Sequence, residues 1–271
     1  MNEEKDEWKP ERYHEYGYFP GCVDFMDVEV KFTHLNKGDA DHASIAAASI
    51  KLLNYADIDP LVLDMNVFKC SGHDQLWQGN LEVFDALKEH NMRRLKESGI
   101  KIITCSCAEC YRTFAVDYDL PGTLGIKVEH ITQTLQGRGL KFKAPENVTV
   151  SYHDPCRLGR MMGEYEAPRD LIQLVDGATM VELENNKERA LCCGVSSMMY
   201  CNDATKAVRR KRLDQGTDAG IDIMLGGCPK CYMHMQCMLN EERMNPEEGH
   251  HHDYEMMDLM QFLVACLEDG K

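Results

Sequence analysis

Short apolar runs alternate with amphipathic stretches along the chain. Runs rich in β-branched and aromatic residues predict strands at Tyr16–Phe19, Leu61–Asp64, Lys101–Thr104, Val148–Tyr152, Thr179–Leu183 and Ile221–Leu225. Apolar residues at helical spacing predict helices at Asp41–Tyr55, Asn80–Ser98, Arg169–Val175, Asn202–Gln215, Cys231–Leu239 and Tyr254–Leu267. Because strand and helix alternate in both halves, we predict an α/β fold with small parallel sheets.

The chain also contains an internal repeat. Residues 99–111 match residues 220–232 at a constant offset of 121, and each segment ends in a Cys-x-x-Cys-Tyr motif. Residues 70–72 match residues 192–194 at an offset of 122, and Gly21-Cys22 aligns with Pro155-Cys156 at an offset of 134. We therefore predict two pseudo-symmetric cysteine-rich α/β domains, residues 1–145 and 146–271, joined around Lys143–Asn147, where a proline interrupts the pattern.

Composition and charge narrow the class of protein. Of the 271 residues, 44% are hydrophobic and 28% charged, which is typical of a globular protein. The net charge of −15 disfavours nucleic acid as a partner, and the one basic run, Arg209-Arg210-Lys211-Arg212, is expected to be a solvated helix face. The polar N-terminus is no signal peptide and no apolar run reaches 18 residues, so we expect a cytoplasmic protein without a transmembrane segment.

The thirteen cysteines carry the candidate chemistry. In a reducing compartment, grouped thiols usually bind metal or perform redox chemistry. The second half holds three groups separated by 35 and 34 residues, namely Cys156, Cys192-Cys193 and Cys228-x-x-Cys231. Each Cys-x-x-Cys follows a predicted strand and opens a predicted helix, at the edge where open α/β sheets bind ligands. Thiolate-rich sites of this kind select iron–sulfur clusters or zinc.

The order G-C, C-C-G, C-x-x-C resembles the cysteine-rich (CCG) domain family, best known from the catalytic B and D subunits of heterodisulfide reductase of methanogens. The stretches in which the similarity to the D-type subunits is greatest are His153–Arg160, Leu191–Gly194, Tyr18–Cys22 and Cys107–Arg112. The resemblance covers roughly residues 16–240. It implies an oxidoreductase of the methanogenesis type, with a non-cubane [4Fe–4S] cluster in each complete motif, at which a disulfide such as that of coenzymes M and B is reduced.

The resemblance also implies the cluster ligands. In the second half they are the five cysteines of the complete motif, Cys156, Cys192, Cys193, Cys228 and Cys231. In the first half Ser71 stands where the second vicinal cysteine belongs. Four cysteines remain there, with Cys105 as a spare, for either an ordinary four-thiolate [4Fe–4S] cluster or a degenerate site: Cys22, Cys70, Cys107 and Cys110.

Two further side chains are candidates for catalysis. His153 is a candidate donor of a proton or a hydrogen bond, and Arg157 a candidate binding group for an anionic part of the substrate, aided by Arg160 and Lys230. The alternative is that His153 and Arg157 only brace the loop that holds Cys156. The remaining cysteines are expected to be buried small hydrophobes, and residues 250–252, three histidines, a solvated loop.

Rival functions remain open at this point. Related domains pass electrons between flavoprotein and quinone in lactate, glycerol-3-phosphate or succinate oxidation, and a non-enzymatic cluster-bearing module would tolerate Ser71. A zinc site leaves the fifth cysteine unexplained, and a thioredoxin-like dithiol explains neither the repeat nor the vicinal pair. The sequence has no nucleotide-binding, flavin or ferredoxin motif. We therefore expect a ferredoxin-like iron–sulfur subunit and a flavoprotein subunit as partners, and a small anionic thiol or disulfide as substrate.

Overall fold

The computed structural model describes residues 8–21, 23, 41–194, 202–248 and 252–267. The first half forms strands β1 to β4 at Tyr16–Phe19, Leu61–Val62, Ile102–Cys105 and Lys127–His130, and the second forms β5 to β8 at Phe142–Tyr152, Val175–Met180, Ile223–Gly226 and Glu255–Asp258. Each half builds one parallel sheet, with the order β2-β1-β3-β4 in the first and β6-β5-β7-β8 in the second. The two sheets thus have the same topology, which confirms the predicted α/β fold.

Helices connect the strands in both halves. In the first half, α1 to α6 span His42–Tyr55, His73–Trp77, Leu81–Ser98, Ala108–Arg112, Leu120–Thr123 and Ile131–Leu135, with a π-helical turn at Thr113–Asp117. In the second, α7 to α11 span Gly159–Met162, Glu166–Gln173, Asp203–Asp218, Pro229–Met244 and Leu259–Ala265, with 3-10 turns at Lys187–Arg189 and Pro246–Glu248. Among the described helices, none is both long and apolar enough to cross a lipid bilayer.

The last strand of each sheet passes directly into a capped helix. His130 caps α6 and Asp258 caps α11, and in both cases a glutamine three residues later completes a capping box. A capping box satisfies backbone N–H groups that the first turn of a helix leaves without partners. The repeat therefore extends beyond the cysteine motifs to the final strand and helix of each half.

Buried clusters join the two halves. Successive residues of a strand face opposite sides of the sheet, so Phe19 of β1 enters one hydrophobic cluster and Tyr18 the other. The cluster with Tyr18 packs α1 of the first half with α11 of the second, where Gln261 Nε2 donates a hydrogen bond to Ser44 Oγ at 2.6 Å. The position of each sheet therefore depends on the other half.

Several element boundaries differ from the predictions. β4 and β8 were not predicted, because each is a four-residue strand with a polar or half-buried outer face. The helix predicted over Tyr254–Leu267 is wrong at its start, where β8 precedes α11. The segment Lys143–Asn147, expected to join the halves, is part of β5, whose pairing register with β6 shifts between Lys143 and Val148. The division into two domains at residue 145 stays a prediction.

Candidate metal centre

The carboxyl ends of the central strands bring cysteines from both halves together. β3 ends at Cys105 and is followed by Cys107, the N-cap residue of α4. β7 ends at Gly226 and is followed by Cys228, the N-cap residue of α10. Cys156 follows the end of β5 in the same way. The crevice beyond the carboxyl ends of parallel strands is where open α/β sheets bind ligands, so these cysteines lie at the edge for which the sequence predicted a site.

Six thiols form one continuous series of side-chain contacts that crosses from one half to the other. The contacts join Cys192 to Cys193, Cys193 to Cys231, and Cys231 to Cys228. They continue from Cys228 to Cys107 and from there to Cys110. Cys156 lies beside the series, close enough to Cys193 for the two thiols to interact electrostatically. None of the seven forms a disulfide. The complete motif of the second half therefore converges, and it meets the first motif edge to edge.

The thiols differ in how readily they ionise. Hydrogen bonds from Cys192 first, then from Cys231, hold the pKa of Cys193 well below its usual range. The pKa values of two neighbouring thiols change in the opposite direction. The hydrogen bond to Cys193 raises the pKa of Cys231, and burial raises the pKa of Cys156 to about 11. Among the five thiols of the second half, Cys193 is therefore the one whose ionisation the surroundings favour. Since the thiolate is the form that binds metal, Cys193 is the ligand that the protein prepares best.

The loops that carry these thiols are fixed by close backbone contacts and buried charges. Gly194, after the vicinal pair, has φ +80°, and a Cβ there would lie 2.5 Å from the Thr205 carbonyl oxygen. Only glycine tolerates both conditions without strain. In the turn before Cys156, Asp154 accepts two hydrogen bonds from Arg169, at 2.8 and 3.0 Å. Asp154 and Arg169 therefore fix the turn at which Cys156 enters the site.

The first half holds a smaller group of thiols. Ser71 is 1% exposed, and its hydroxyl lies 3.4 Å from Cys110 Sγ, so its side chain occupies the place of the missing cysteine. Cys70 Sγ accepts a hydrogen bond from the Gly72 amide at 3.5 Å. Cys105 is buried next to Cys107. Cys22, the remaining predicted ligand of this half, lies outside the described residues, and the type of site in the first half stays open.

A buried ion pair links the two Cys-x-x-Cys motifs. Lys230, inside the second motif, lies 2.9 Å from Glu109, inside the first, and 2.6 Å from Asp74. Burial raises the pKa of Glu109 to about 8, and the nearby Lys230 ammonium opposes that rise. The prediction that Lys230 attracts an anionic substrate is therefore wrong, because two carboxylates already neutralise it. Arg160 is exposed and donates to the backbone oxygen of Ala190 at 3.0 Å, so we do not assign it to the substrate.

Arg157 lies between the halves and has no carboxylate partner among the described residues. Its guanidinium stacks on the ring of Trp77 at 3.8 Å, and its Nε donates to His73 Nε2 at 3.3 Å. Since a guanidinium has no acceptor atom, that nitrogen is unprotonated, and His73 is neutral despite Glu109 at 3.6 Å. Burial, then Arg157, lowers the pKa of His73 to about 2. Arg157 is thus a buried cation, 7% exposed, beside the thiols.

Two arginines of α9 lie behind the thiols of the second half. Arg209 and Arg212 are both fully buried, which makes the predicted solvated face of the basic run wrong at these positions. Arg212 Nε donates to His153 Nδ1 at 3.0 Å, and Arg209 Nε donates to the Cys193 carbonyl at 3.2 Å. Their spacing of three residues, which places both on one face of a helix, was the available sequence signal.

The residues present fit a thiolate-bound iron–sulfur cluster. Zinc requires four ligands in a closed shell, whereas five thiols of the second half converge, together with a nitrogen of His153 that lies within 4.8 Å of the Cys193 and Cys231 sulfurs. Among the described residues, Arg212 Nη2 and His153 Nε2 are buried polar atoms without a hydrogen-bond partner. A buried guanidinium requires a counter-charge, which an anionic cluster would supply.

The comparison with protein families agrees with this chemistry. A family model described as the CCG cysteine-rich domain matches residues 16–115 and 150–236, one match in each half. Each match includes one Cys-x-x-Cys motif and one of the two equivalent segments, Cys70-Ser71-Gly72 or Cys192-Cys193-Gly194.

Similar proteins occur among redox enzymes. The D subunit of dihydromethanophenazine:CoB–CoM heterodisulfide reductase of Methanosarcina barkeri is 32% identical over 213 residues, which cover 74% of this chain and 52% of the relative. The B subunit of fumarate reductase (CoM/CoB) of Methanothermobacter marburgensis is 28% identical, covering 93% and 46%. EtfAB:quinone oxidoreductase of Syntrophomonas wolfei is 26% identical, covering 80% and 30%. The chain thus spans about half the length of the heterodisulfide reductase relative and less of the other two.

A solved structure shares the fold. The crystal structure of a hypothetical protein from Helicobacter pylori matches 95% of this chain and 50% of its own, with a TM-score of 0.58 and 9% identity. At that identity the match concerns the fold alone.

Proposed function

The chain belongs to the CCG cysteine-rich domain family, and from that premise we propose that it is the catalytic iron–sulfur subunit of a heterodisulfide-reductase-like complex. In this proposal the second half holds a non-cubane [4Fe–4S] cluster through Cys156, Cys192, Cys193, Cys228 and Cys231, and the substrate is a disulfide of the coenzyme M–coenzyme B type. When bound, the cluster supplies single electrons for reduction of the disulfide; the chain supplies ligation, position and charge.

The convergence of five free thiols in the second half is the observation that carries the proposal. Four thiolates suffice for a cubane cluster, so a fifth indicates irregular ligation. The first half, with Ser71 in place of a cysteine, provides at most an ordinary [4Fe–4S] cluster through Cys22, Cys70, Cys107 and Cys110. The contact between Cys107 and Cys228 brings the two sites edge to edge. We therefore assign electron relay to the first site and chemistry to the second.

Arg157 is the group that would bind an anionic substituent of the substrate. Its charge is buried and has no carboxylate partner within the described ranges, while Lys230 is already neutralised. The stack on Trp77 holds the planar guanidinium in place. A sulfonate or phosphate would accept hydrogen bonds from the guanidinium edge and supply the missing counter-charge. His153, three residues before Cys156, would donate a hydrogen bond to a thiolate.

In this proposal electrons reach residues 1–271 from a further redox centre. The relatives named as reductase subunits are about twice as long as the matched region or longer. We infer a ferredoxin-like iron–sulfur partner and a flavoprotein subunit, because the sequence itself carries no ferredoxin or flavin motif.

Anaerobic purification followed by titration with thiols tests the proposal. The protein should contain roughly 4–8 irons with matching acid-labile sulfide, and coenzyme M or a similar anionic thiol should produce a new paramagnetic signal after oxidation. Arg157→Gln should weaken thiol binding about tenfold or more, whereas Arg160→Gln, whose side chain is exposed, should not. Stoichiometric zinc without sulfide would overturn the assignment altogether.

A second candidate is an electron-transfer subunit between a flavoprotein and a quinone. The similarity to EtfAB:quinone oxidoreductase favours it, as does a first site that lacks one cysteine. Under this alternative a panel of small thiols leaves the spectrum unchanged, and a quinone or flavoprotein reoxidises the reduced chain rapidly.

A further inference from the structure

The second half has a buried cation, Arg212, that forms no ion pair with the described residues. Arg212 is fully buried, and its hydrogen bonds go to neutral groups: His153, the Asn185 carbonyl at 2.6 Å and Gln215 at 2.9 Å. Within the described ranges it forms no ion pair. The acidic side chains nearest in the fold, Asp154 and Glu182, bind Arg169 instead. An isolated buried charge is costly, so its retention calls for a function.

The hydrogen bond from Arg212 determines which nitrogen of His153 carries the proton. A guanidinium only donates, so His153 Nδ1, which receives the Arg212 Nε–H at 3.0 Å, must be unprotonated. The proton of the neutral imidazole therefore lies on Nε2. The same donor also fixes the plane of the ring.

The His153 ring lies next to the thiols of the second half. It is fully buried, and Nε2 has no hydrogen-bond partner, sulfur included, among the described residues. A ring nitrogen of His153 lies within 4.8 Å of the Cys193 and Cys231 sulfurs, and Nδ1 is already occupied by Arg212. Since Cys193 interacts with the His153 side chain, the Nε2–H is the donor available to its sulfur.

The aligned positions of the first half, both among the described residues, hold no equivalent of this pair. At the offset of 134 residues that aligns Cys22 with Cys156, His153 corresponds to Phe19, which is buried edge-on against Phe114 at 4.8 Å between ring centres. At the offset of 121 residues, Arg212 corresponds to Asn91, whose amide binds the backbone of Lys69 and Cys70. An apolar ring and a neutral amide thus replace a hydrogen-bond donor and a cation.

We propose that Arg212 is a positioning residue that, through His153, directs an N–H onto the Cys193 sulfur and so raises the reduction potential of the second site above that of the first. This inference rests on the proposed cluster in the second half. Reduction adds negative charge to the sulfurs, and a hydrogen-bond donor or a buried cation stabilises the reduced form more than the oxidised one. Electrons therefore collect at the second site.

Redox titration of the anaerobic, cluster-loaded protein tests the proposal. Arg212→Met and His153→Phe should each shift the reduction equilibrium of the second site about tenfold toward the oxidised form, which is about 59 mV for one electron. Lys211→Met is the matched control, because it removes one exposed positive charge from the next position of α9 and should leave the potential unchanged. Arg212→Lys, whose ammonium can still donate to His153 Nδ1, should shift the potential less than Arg212→Met.

Two further results decide whether Arg212 acts through His153. The double variant should shift the potential no further than His153→Phe alone, because the two changes remove one interaction; additive shifts would overturn the inference. In the unaltered protein, the ring ¹⁵N chemical shifts of His153, identified by their loss in His153→Phe, should report the Nε2–H tautomer. The Nδ1–H tautomer would overturn it even if Arg212→Met fails to fold. Neither readout depends on the substrate, so failure of thiol binding would leave this inference standing.

Discussion

The two cysteine sites share one topology but differ in what surrounds their thiols. In the second half, five thiols converge against a fully buried histidine and two fully buried arginines. In the first half, Ser71 stands in a ligand position, and Phe19 and Asn91 replace the histidine and an arginine. The two sheets thus place their strand ends alike, and the side chains behind them make the sites unequal. The comparison teaches that the fold fixes where the thiols lie, whereas the layer behind them decides what each site does.

Removal of Cys193 should have the largest effect on this comparison. Cys193→Ala removes the thiol with the lowest pKa and should abolish the second cluster, which is about four irons per chain. Iron analysis and the paramagnetic spectrum measure the loss. Cys237→Ala is the matched control, because Cys237 is equally buried but lies outside the motif. A full iron content in Cys193→Ala would contradict the ligand assignment.

Removal of the Lys230 charge, which links the two sites, should have the second-largest effect. Lys230→Met leaves Glu109 buried without its cation, and breaking a buried ion pair in this way costs about 3–5 kcal/mol. The expected loss is measured as the free energy of unfolding in urea. Lys187→Met breaks the more exposed pair with Glu166 and should cost less than about 1 kcal/mol. Equal losses of unfolding free energy in the two variants would show that the buried ion pair stabilises the protein no more than an exposed one.

Substitutions at Ser71 test whether the first site is a four-cysteine site. Ser71→Ala should leave its iron content unchanged and reduce stability by only about 1 kcal/mol, the contribution of one hydrogen bond. Ser71→Cys restores the vicinal pair and should make the spectrum of the first site approach that of the second. Loss of the first cluster in Ser71→Ala would show instead that the hydroxyl is a ligand.

The smallest effect concerns a pH-dependent pair found in the second half. His252, expected in a solvated loop, is 4% exposed and binds Glu242. Burial opposes the charged form, but Glu242 and Asp214 raise the pKa of His252 overall. A pKa that is higher in the folded than in the unfolded protein adds stability at pH values below the unfolded-state pKa. That added stability is lost as the pH rises through the folded-state pKa. His252→Gln should therefore cost more unfolding free energy at about pH 5.5 than at about pH 8.5. Glu242→Gln should abolish that difference.

The sequence predicted the fold class and the grouping of the second set of thiols, because both depend on patterns that a duplication repeats. It did not predict β4 and β8, since short strands with polar outer faces carry little periodicity, although the capping residues Asp258 and Gln261 were a usable signal. Arg209 and Arg212 were misassigned to a solvated face, because a basic run is usually solvated. Only the tertiary structure shows that α9 turns two of its cations inward.

The contact between Cys107 and Cys228 also sets an order of events during synthesis. The ribosome completes the first Cys-x-x-Cys 118 residues before Cys228, an interval on the order of ten seconds at about 5–20 residues per second. During that time the early thiols lack the surface that later covers them, and oxidants or the wrong metal can reach them. Nascent chains arrested before residue 190 should therefore have Cys107 and Cys110 alkylated quickly, whereas in the released chain the same thiols should be protected.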